Sequence, residues 1–271
     1  MNTVETILTK LKKYDDDNNF KFDEPSHTYT YGDATYTSVT TYLDKFHKPF
    51  DTEFHSKKTA KKLGIPQEEV LKLWKDKGDV SCDMGTEVHL WIENYYNKVL
   101  QEIPTNLESV KRINMFNILY VEKLHKLELI KCEQRIYSKK LKIAGMIDTL
   151  FLYKGNIIML DWKTNGKMTS DVDCTYNKLL YPFNQYWENS LNKYSIQQSL
   201  YALILKEIGI EVKAMYLGYL PPDDINSGIH TDGVMYKCID MRDDLSQYFE
   251  DEMNKEELRN YKIDDLLDGG L

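Results

Sequence analysis

Three strand-like segments between residues 129 and 164 constrain the fold of this chain more than any other feature of its sequence. They cover residues 129–137, 143–153 and 157–164, and only short connections separate them. Gly155 lies in the turn between the last two segments, which predicts a β-hairpin there. Strands of this kind bury an apolar face against other layers of secondary structure. The sequence therefore predicts a sheet with these segments at its centre.

Hydrophobic periodicity on both sides of this region predicts further strands and several helices. Residues 27–40 alternate aromatic or β-branched side chains with polar ones around Gly32 and Asp33, which predicts a second hairpin. A helix capped by Ser38 or Thr40 should follow it. The remaining predicted elements are helices over residues 59–77 (broken near 64–66), 85–100, 110–129, 194–208 and from 243, and strands over 213–220 and 234–239. This order predicts an α/β fold, with a central mixed sheet flanked by helices and a helical N-terminal elaboration.

Charge is distributed unevenly along the chain. The 271 residues carry a net charge of −8, but residues 240–271 contain 11 acidic and 4 basic residues, which leaves only −1 for the rest. Residues 45–77 contain 9 lysines and 5 acidic residues. We therefore divide the chain into an N-terminal hairpin and lysine-rich helical region (1–80), a core (81–240) and an acidic C-terminal helix and tail (241–271).

Two further features bear on location and on cysteine-ligated groups. No run of about 18 apolar residues predicts a membrane span, and the N-terminus lacks the apolar segment of a signal peptide. We therefore expect a cytoplasmic protein that has no membrane partner. The cysteines lie far apart and form no CxxC pair, so we expect no iron–sulfur cluster. They are Cys82, Cys132, Cys174 and Cys238.

Asp161 and Lys163 lie two residues apart in IIMLDWKT, the last strand of the central run. Side chains two apart on a strand share a face, so these charges lie together while Ile158, Leu160 and Trp162 point into the core. By itself, such a pair is more often a salt bridge on the face of a sheet than a catalytic pair. Its surroundings decide between the two interpretations.

Asp148 supplies a second carboxylate, in GMIDTLF on the preceding strand. It lies beside Asp161 if the hairpin pairs in the expected register. Two converging carboxylates favour Mg²⁺ or Mn²⁺, which would polarise a phosphate and lower the pKa of an attacking water. Lys163 would orient that water or stabilise charge that develops on the phosphate. Asp148, Asp161 and Lys163 are therefore the predicted catalytic residues.

Two predicted helices carry polar side chains on one face. Thr86, His89 and Glu93 recur at spacings of three and four in GTEVHLWIE, where a histidine could be a metal ligand. Gln197 and Tyr201 lie four residues apart in YSIQQSLYALIL, and could hold a phosphate or stack a base. A half-buried amphipathic helix would explain the second pair equally well.

The lysine-rich region contains a candidate phosphate-binding surface. Lys58 shares one helical side with Lys61 and Lys62, and Lys57 precedes them. We predict that these four lysines guide the phosphate backbone of a substrate. A solvated helix face with no partner is an equally good interpretation.

Together these motifs resemble the RecB-like branch of the PD-(D/E)XK nucleases. The order GTxxHxxxE, GxxD, DxK and QxxxY occurs here as Gly85-Thr86…His89…Glu93, Gly145…Asp148, Asp161-Trp162-Lys163 and Gln197…Tyr201. The match covers roughly residues 85–205. Ser38-Val39-Thr40 followed by a helix is similar to the mitochondrial genome maintenance exonuclease and related phage exonucleases. If the chain is phage-encoded, its location would be the host cytoplasm.

The resemblance implies a role for each matching residue. Asp148, Asp161 and the backbone carbonyl of Trp162 would ligate the metal, and His89 would complete its shell. Glu133 lies on the strand before the one that carries GxxD, at a place where many relatives have a glutamate. It would support the site together with Glu93. The residues implied in substrate binding are Thr86, Gln197 and Tyr201. Two departures stand out: Trp162 is bulkier than the usual middle residue, and the long segment 171–194 leaves the distance from Tyr201 to the site open.

The sequence thus predicts a divalent-metal-dependent DNA exonuclease that acts on single strands or ends. Two alternatives remain at this stage. A structure-specific or flap endonuclease would use the same residues, and a non-cleaving nucleic-acid-binding or packaging module would use the same fold. The intact Asp148, Asp161 and Lys163 argue against the last, because a pure binder gains nothing from a cluster of like charges.

Overall fold

The computed structural model describes residues 2–173, 176–222 and 232–268, with residues 257–268 described by their backbone alone. The strands are β1 (Phe20–Asp23), β2 (Thr28–Tyr31), β3 (Ala34–Ser38), β4 (Glu128–Ser138), β5 (Ile143–Tyr153), β6 (Asn156–Lys163), β7 (Val212–Tyr219) and β8 (Val234–Lys237). The helices are α1 (Val4–Asp15), α2 (Val39–Tyr42), α3 (Thr52–Leu63), α4 (Gln67–Tyr96), α5 (Leu107–Leu119), α6 (Ser190–Lys206) and α7 (Arg242–Asp268). A 3-10 turn (Leu43–Phe46) follows α2, and a π-helical turn (Tyr120–Leu124) follows α5.

All eight strands belong to one mixed sheet, ordered β1-β2-β3-β5-β6-β7-β8, with β4 also paired to β5. The β3–β5 and β6–β7 pairs are parallel, and the others are antiparallel. Helices cover the sheet, so the predicted α/β architecture with a central mixed sheet is confirmed. The N-terminal hairpin extends this same sheet through β3, which pairs with the first residues of β5.

Two apolar clusters lie on opposite faces of the sheet, and β6 contributes to both. Ile157 and Met159 belong to the cluster beneath α1 and α6. Leu160 and Trp162 belong to the cluster beneath α4 and α5. This alternation follows from the two-residue period of a strand, and it confirms that Trp162 points into the core.

The bulk of Trp162 is accommodated by a glycine on the neighbouring strand. Trp162 is 1% exposed and lies opposite Gly218 of β7. A Cβ atom at residue 218 would overlap the indole ring. The large residue between Asp161 and Lys163 therefore fits this sheet because its partner has no side chain.

Both predicted hairpins form. The β5–β6 turn consists of Lys154 (φ 49°) and Gly155 (φ 77°), the left-handed pair that a two-residue type I′ turn requires. Gly32, at φ 57°, turns the chain between β2 and β3. Ser38 caps α2, since its side chain accepts a hydrogen bond from the Thr41 amide.

Several elements differ from the predictions. The break predicted near residues 64–66 is confirmed, since α3 ends at Leu63 and α4 begins at Gln67. The separation predicted between residues 77 and 85 was wrong, because α4 runs unbroken for 30 residues through Gly78 and Gly85. The predicted boundary between residues 80 and 81 therefore falls inside α4. The helix predicted over 110–129 ends as α5 and its π-helical turn, and neither α1 nor β1 was predicted.

Some predicted features lie outside the described residues. They are Cys174, residues 223–231 between the strands predicted over 213–220 and 234–239, and the last three residues of the tail. In the part of the chain that the structure describes, no helix combines the length and the apolar character needed to cross a bilayer.

Candidate active site

The candidate site lies where β6 separates from β5. On one edge of β5, β3 pairs with residues 143–144 and β6 pairs with residues 149–153. Among the described residues, the intervening stretch, which contains Gly145 and Asp148, has no ladder partner on that edge. Leu160 is the last residue of β6 that pairs with β5. The three residues after it, Asp161, Trp162 and Lys163, pair only with β7 within the described part of the chain. A gap between strands therefore forms where the sequence places its charged residues.

Asp148 and Asp161 face each other across this gap. Thr149 pairs with Leu160, so the next two residues in the same register are Asp148 and Asp161. Asp148 Oδ2 accepts a hydrogen bond from the Trp162 amide at 2.7 Å. The amide and carbonyl of one strand residue point to the same side, so the Trp162 carbonyl is also directed towards β5.

The Lys163 ammonium is held by three groups. Its Nζ lies 2.6 Å from Asp161 Oδ2 and donates to Gln197 Oε1 at 3.3 Å. It also lies 4.3 Å from the centre of the Tyr194 ring, a cation–π contact. Burial is the largest single influence and lowers the pKa of Lys163. The charges of Asp161, Tyr194 and Asp148, together with the hydrogen bond to Asp161, outweigh burial, and the net pKa is raised. Lys163 is therefore a fixed positive charge at the site.

Helix α4 brings His89 to the same point. Val88 and Ile92 are buried against the sheet, and this orientation places His89 next to the gap. Its Nδ1 lies 3.4 Å from Asp148 Oδ2. Glu93 lies one helical turn further along α4 and acts electrostatically on Glu133 of β4. Two of the polar residues predicted to share one face of this helix, His89 and Glu93, thus lie near the carboxylates of the sheet.

Glu133 completes the cluster through an unusual backbone. Its φ of 46° lies in the left-handed region, which is uncommon for a residue with a side chain. Potential ligand atoms of His89, Glu133 and Asp148 lie within 4.8 Å of one another. Burial, followed by the charges of Asp148, Glu93 and Asp161, raises the pKa of Glu133 to about 9. The resemblance gave this residue only a supporting role, whereas the structure places it among the possible metal ligands.

The electrostatics of this acidic cluster favour a bound cation. Burial, followed by the charge of Asp161, raises the pKa of Asp148 to about 6. Asp161 is 3% exposed, and its Oδ2 has no hydrogen bond of good geometry in the described part of the chain, although it contacts Lys163. Buried carboxylates that repel one another need a compensating charge. The residues present therefore fit a hard divalent cation.

Gln197 and Tyr201 extend the site into the interior. Gln197 accepts from Lys163, and its Nε2 donates to the Tyr201 hydroxyl at 3.2 Å. Both side chains are buried. A Cβ atom on Gly145 would lie 2.6 Å from the Tyr201 ring, so the glycine three residues before Asp148 makes room for it. The sequence left open how far Tyr201 lies from the site. In the structure Tyr201 packs against β5 at the gap, next to Gly145.

Thr86 and the four lysines of α3 lie outside this group. The Thr86 hydroxyl donates to the Cys82 carbonyl of its own helix at 3.0 Å, and the residue is exposed. The lysines are exposed on α3, where Lys57 lies 2.5 Å from Glu53. They are Lys57, Lys58, Lys61 and Lys62. Their predicted part in substrate binding stays a prediction.

Tyr194 is the site residue that the sequence analysis missed. It lies on α6 three residues before Gln197, and residues three apart on a helix share a face. The same helical spacing that singled out Gln197 and Tyr201 could have indicated it. Helical spacing alone could not indicate that Lys163 lies against the Tyr194 ring.

The described cysteines are Cys82, which is exposed, and Cys132 and Cys238, which are buried; all are free thiols.

No family model matches the sequence. No curated protein matches it at a significant level either.

Proposed function

We propose that this chain is a divalent-metal-dependent DNA nuclease built on a PD-(D/E)XK core. The observation that carries the proposal is the convergence of Asp148, Asp161 and Lys163 at one opening between two strands, with His89 and Glu133 beside them. A structural salt bridge would need one carboxylate and one lysine. Here one buried carboxylate, Asp161, and two half-buried ones, Asp148 and Glu133, lie together. Such a cluster is costly to folding, and groups of this kind are characteristic of binding and catalytic sites.

The proposed metal ligands are the carboxylates and the imidazole of this cluster. Asp148, His89 and Glu133 are grouped closely enough to share one ion. Asp161 lies outside that group, and its buried Oδ2 is 2.6 Å from Lys163 Nζ, so we propose it as a further ligand at the edge of the cluster, with the Trp162 carbonyl directed towards β5. Mg²⁺ or Mn²⁺ bound there would supply Lewis-acid polarisation of the phosphodiester and a lower pKa for the attacking water.

The remaining residues act on the substrate and on the nucleophile. Lys163, charged and fixed by Asp161, Gln197 and Tyr194, stabilises negative charge that develops on the phosphate. Gln197 holds the lysine from the interior side and donates in turn to the Tyr201 hydroxyl. The low exposure of this network limits its freedom, so little reorganisation is needed during the reaction.

DNA cleavage from ends is the activity we propose, with single strands or ends as the preferred substrate. An endonuclease that uses the same residues, and a binding module that does not cleave, are the outcomes against which it should be tested. Linear and circular single-stranded DNA distinguish the first two, because only an endonuclease cuts the circle.

The experiment incubates the purified full chain with each substrate in Mg²⁺ or Mn²⁺, and again in EDTA. Degradation of linear DNA alone, abolished by EDTA, is the expected result. Binding without cleavage of either substrate in both metals would support the non-cleaving alternative. Full activity in EDTA by protein free of metal would contradict the proposed chemistry.

A further inference from the structure

The helical arm contains few buried residues. We define it as α3, the turn at residues 64–66, and α4 as far as Asp83. Between Thr52 and Asp83 only Ser56 and Val70 are buried. Gln67 fastens the two helices by donating to Ser56 Oγ at 2.9 Å and to Glu53 Oε2 at 3.1 Å.

Aromatic rings gather at the start of this arm, next to the first turn of α3. Phe50 stacks on His55 with ring centres 4.6 Å apart and planes 11° apart. His55 meets Phe54 edge-on at 5.2 Å, and Trp74 of α4 lies 6.1 Å from Phe50. Phe50 is 63% exposed and Phe54 is 58% exposed. Large apolar rings left in contact with water mark a binding surface more often than a structural one.

The excess of positive charge in the arm comes from α3 alone, because α4 from Gln67 to Asp83 carries three lysines and five acidic residues. Helix α3 carries four lysines and a single acidic residue, Glu53, in a chain whose net charge is −8. All four lysines are exposed, and only Lys57 pairs with Glu53. A surface that combines exposed rings with ammonium groups suits a polyanion that also presents flat apolar faces. Single-stranded nucleic acid has this chemistry, because its bases are free to stack and its phosphates follow them.

We propose that the ring cluster of Phe50, Phe54, His55 and Trp74 stacks the bases of a single-stranded segment whose phosphates contact the lysines of α3. The inference rests on the proposed nuclease function and adds to it a second contact surface, away from the site, for the unpaired bases of the substrate. Helix α4 connects this surface to the site, since it carries both Trp74 and His89. At about 1.5 Å per residue, these two residues are roughly 22 Å apart along the helix. The arm therefore contacts the substrate several nucleotides away from the bond that is cut.

Stacking makes the inference testable with a substrate that lacks bases. The double variant Phe50→Ala/Phe54→Ala is compared with wild type for binding to a fluorescent single-stranded oligonucleotide of about 20 nucleotides, in EDTA to prevent cleavage. We expect affinity to fall about tenfold or more. Affinity for an abasic oligonucleotide of equal length should be unchanged. Phe50→Trp/Phe54→Trp should restore binding, since tryptophan also stacks.

Two control variants separate stacking from other effects on the same arm. Leu63→Ala/Leu73→Ala removes aliphatic side chains that are 56% and 50% exposed, and it should not change the affinity for DNA. Replacement of the four α3 lysines by alanine should weaken binding of both oligonucleotides. It should also flatten the salt dependence by roughly 0.7 in log–log slope for each phosphate that the lysines no longer neutralise.

The possible failures are distinguishable. Unchanged affinity of the phenylalanine variant, or equal loss for normal and abasic strands, would overturn the arm inference. So would a change confined to oligomeric mass, which would identify a surface for a second copy of the chain. If the wild type still cleaves DNA with Mg²⁺ or Mn²⁺ in those cases, the nuclease proposal stands. If the wild type neither binds nor cleaves DNA, both proposals fail.

Discussion

At the scale of single residues, the site depends on charges held where water cannot screen them. Asp161 is almost completely buried, and the side chain of Lys163 is 17% exposed. Neither Asp161→Ala nor Lys163→Ala opens a large apolar cavity, so the fold should survive. Because metal and charge stabilisation each contribute several kcal/mol, we expect each variant to lose roughly 10³-fold or more in cleavage rate.

The rate is measured on linear single-stranded DNA, with circular dichroism to verify folding. Lys167→Ala is the matched control, because that lysine has a side chain that is 72% exposed and lies 3.7 Å from Asp173. It should cleave at the wild-type rate. Near wild-type cleavage by a folded Lys163→Ala protein would remove that residue from the mechanism.

Tyr194 gives a second prediction at this scale. Its ring is 4.3 Å from Lys163 Nζ, and a cation–π contact of this kind contributes roughly 0.5–2 kcal/mol. Tyr194→Leu should therefore lower kcat by about 2- to 30-fold, with a smaller change in KM, whereas Tyr194→Phe should retain most of the activity. Equal losses in the two variants would show that the hydroxyl, and not the ring face, matters.

Glu133 links the site to stability in the metal-free protein. Its pKa is about 9 in the folded chain against an ordinary 4.5, so the folded state holds a proton that the unfolded state releases. This contribution to stability is complete below about 4.5 and is lost as the pH rises towards 9. In EDTA, the Tm of wild type should fall over this range more steeply than that of Glu133→Gln.

Thermal unfolding at several pH values between those limits tests this expectation. The matched control is Glu128→Gln, an exposed position at the start of the same strand, β4. It should follow the wild-type curve. Parallel curves for wild type and Glu133→Gln would show that Glu133 does not take up a proton on folding.

At the scale of elements, the site is set by how α6 lies on β5. Tyr201 reaches the gap only because Gly145 has no side chain, and an added Cβ would lie 2.6 Å from its ring. Tyr201 is 4% exposed and cannot move outwards. Gly145→Ala should therefore cost about 1–3 kcal/mol in the free energy of unfolding.

Denaturant unfolding measures that cost, and the double variant Gly145→Ala/Tyr201→Leu should show strong coupling, because the smaller side chain relieves the overlap. Gly78→Ala is the control in α4, where nothing lies within 4 Å of the added methyl group. It should stabilise the protein by about 0.4–1 kcal/mol. Additive effects of the residue 145 and residue 201 changes would contradict this account of the packing.

At the scale of the whole molecule, a bound cation should stabilise the fold. Three elements, α4, β4 and β5, supply the grouped residues His89, Glu133 and Asp148, so one ion would connect parts that are distant in sequence. Metal at about 100 times its Kd contributes about 2.7 kcal/mol, which corresponds to a rise in Tm of several degrees.

This is tested by melting wild type and Asp148→Ala with increasing Mg²⁺ or Mn²⁺, and after EDTA. The wild type should gain stability that EDTA removes, whereas Asp148→Ala should gain little. This readout is independent of cleavage. No change in wild-type Tm with either metal would show that the cluster does not bind the ion in the folded protein.

Much of the architecture was determined by local sequence. The β5–β6 hairpin follows from Gly155 between two apolar segments, and the alternation of β6 places Trp162 in the core and Asp161 with Lys163 on the other face. Turns and strand periodicity depend on the nearest few residues, so they can be predicted without the rest of the chain. The helical face of His89 and Glu93 has the same origin.

What the tertiary structure alone decided is how these elements meet. The opening in β5 exists because β3 and β6 share one edge of that strand, which depends on pairing between residues far apart in sequence. Glu133 joins the cluster through a left-handed backbone within a strand, and no local pattern predicts that conformation. Tyr194 meets Lys163 only when α6 packs on the sheet. Local periodicity fixes which face a side chain occupies, whereas convergence on one point depends on long-range packing.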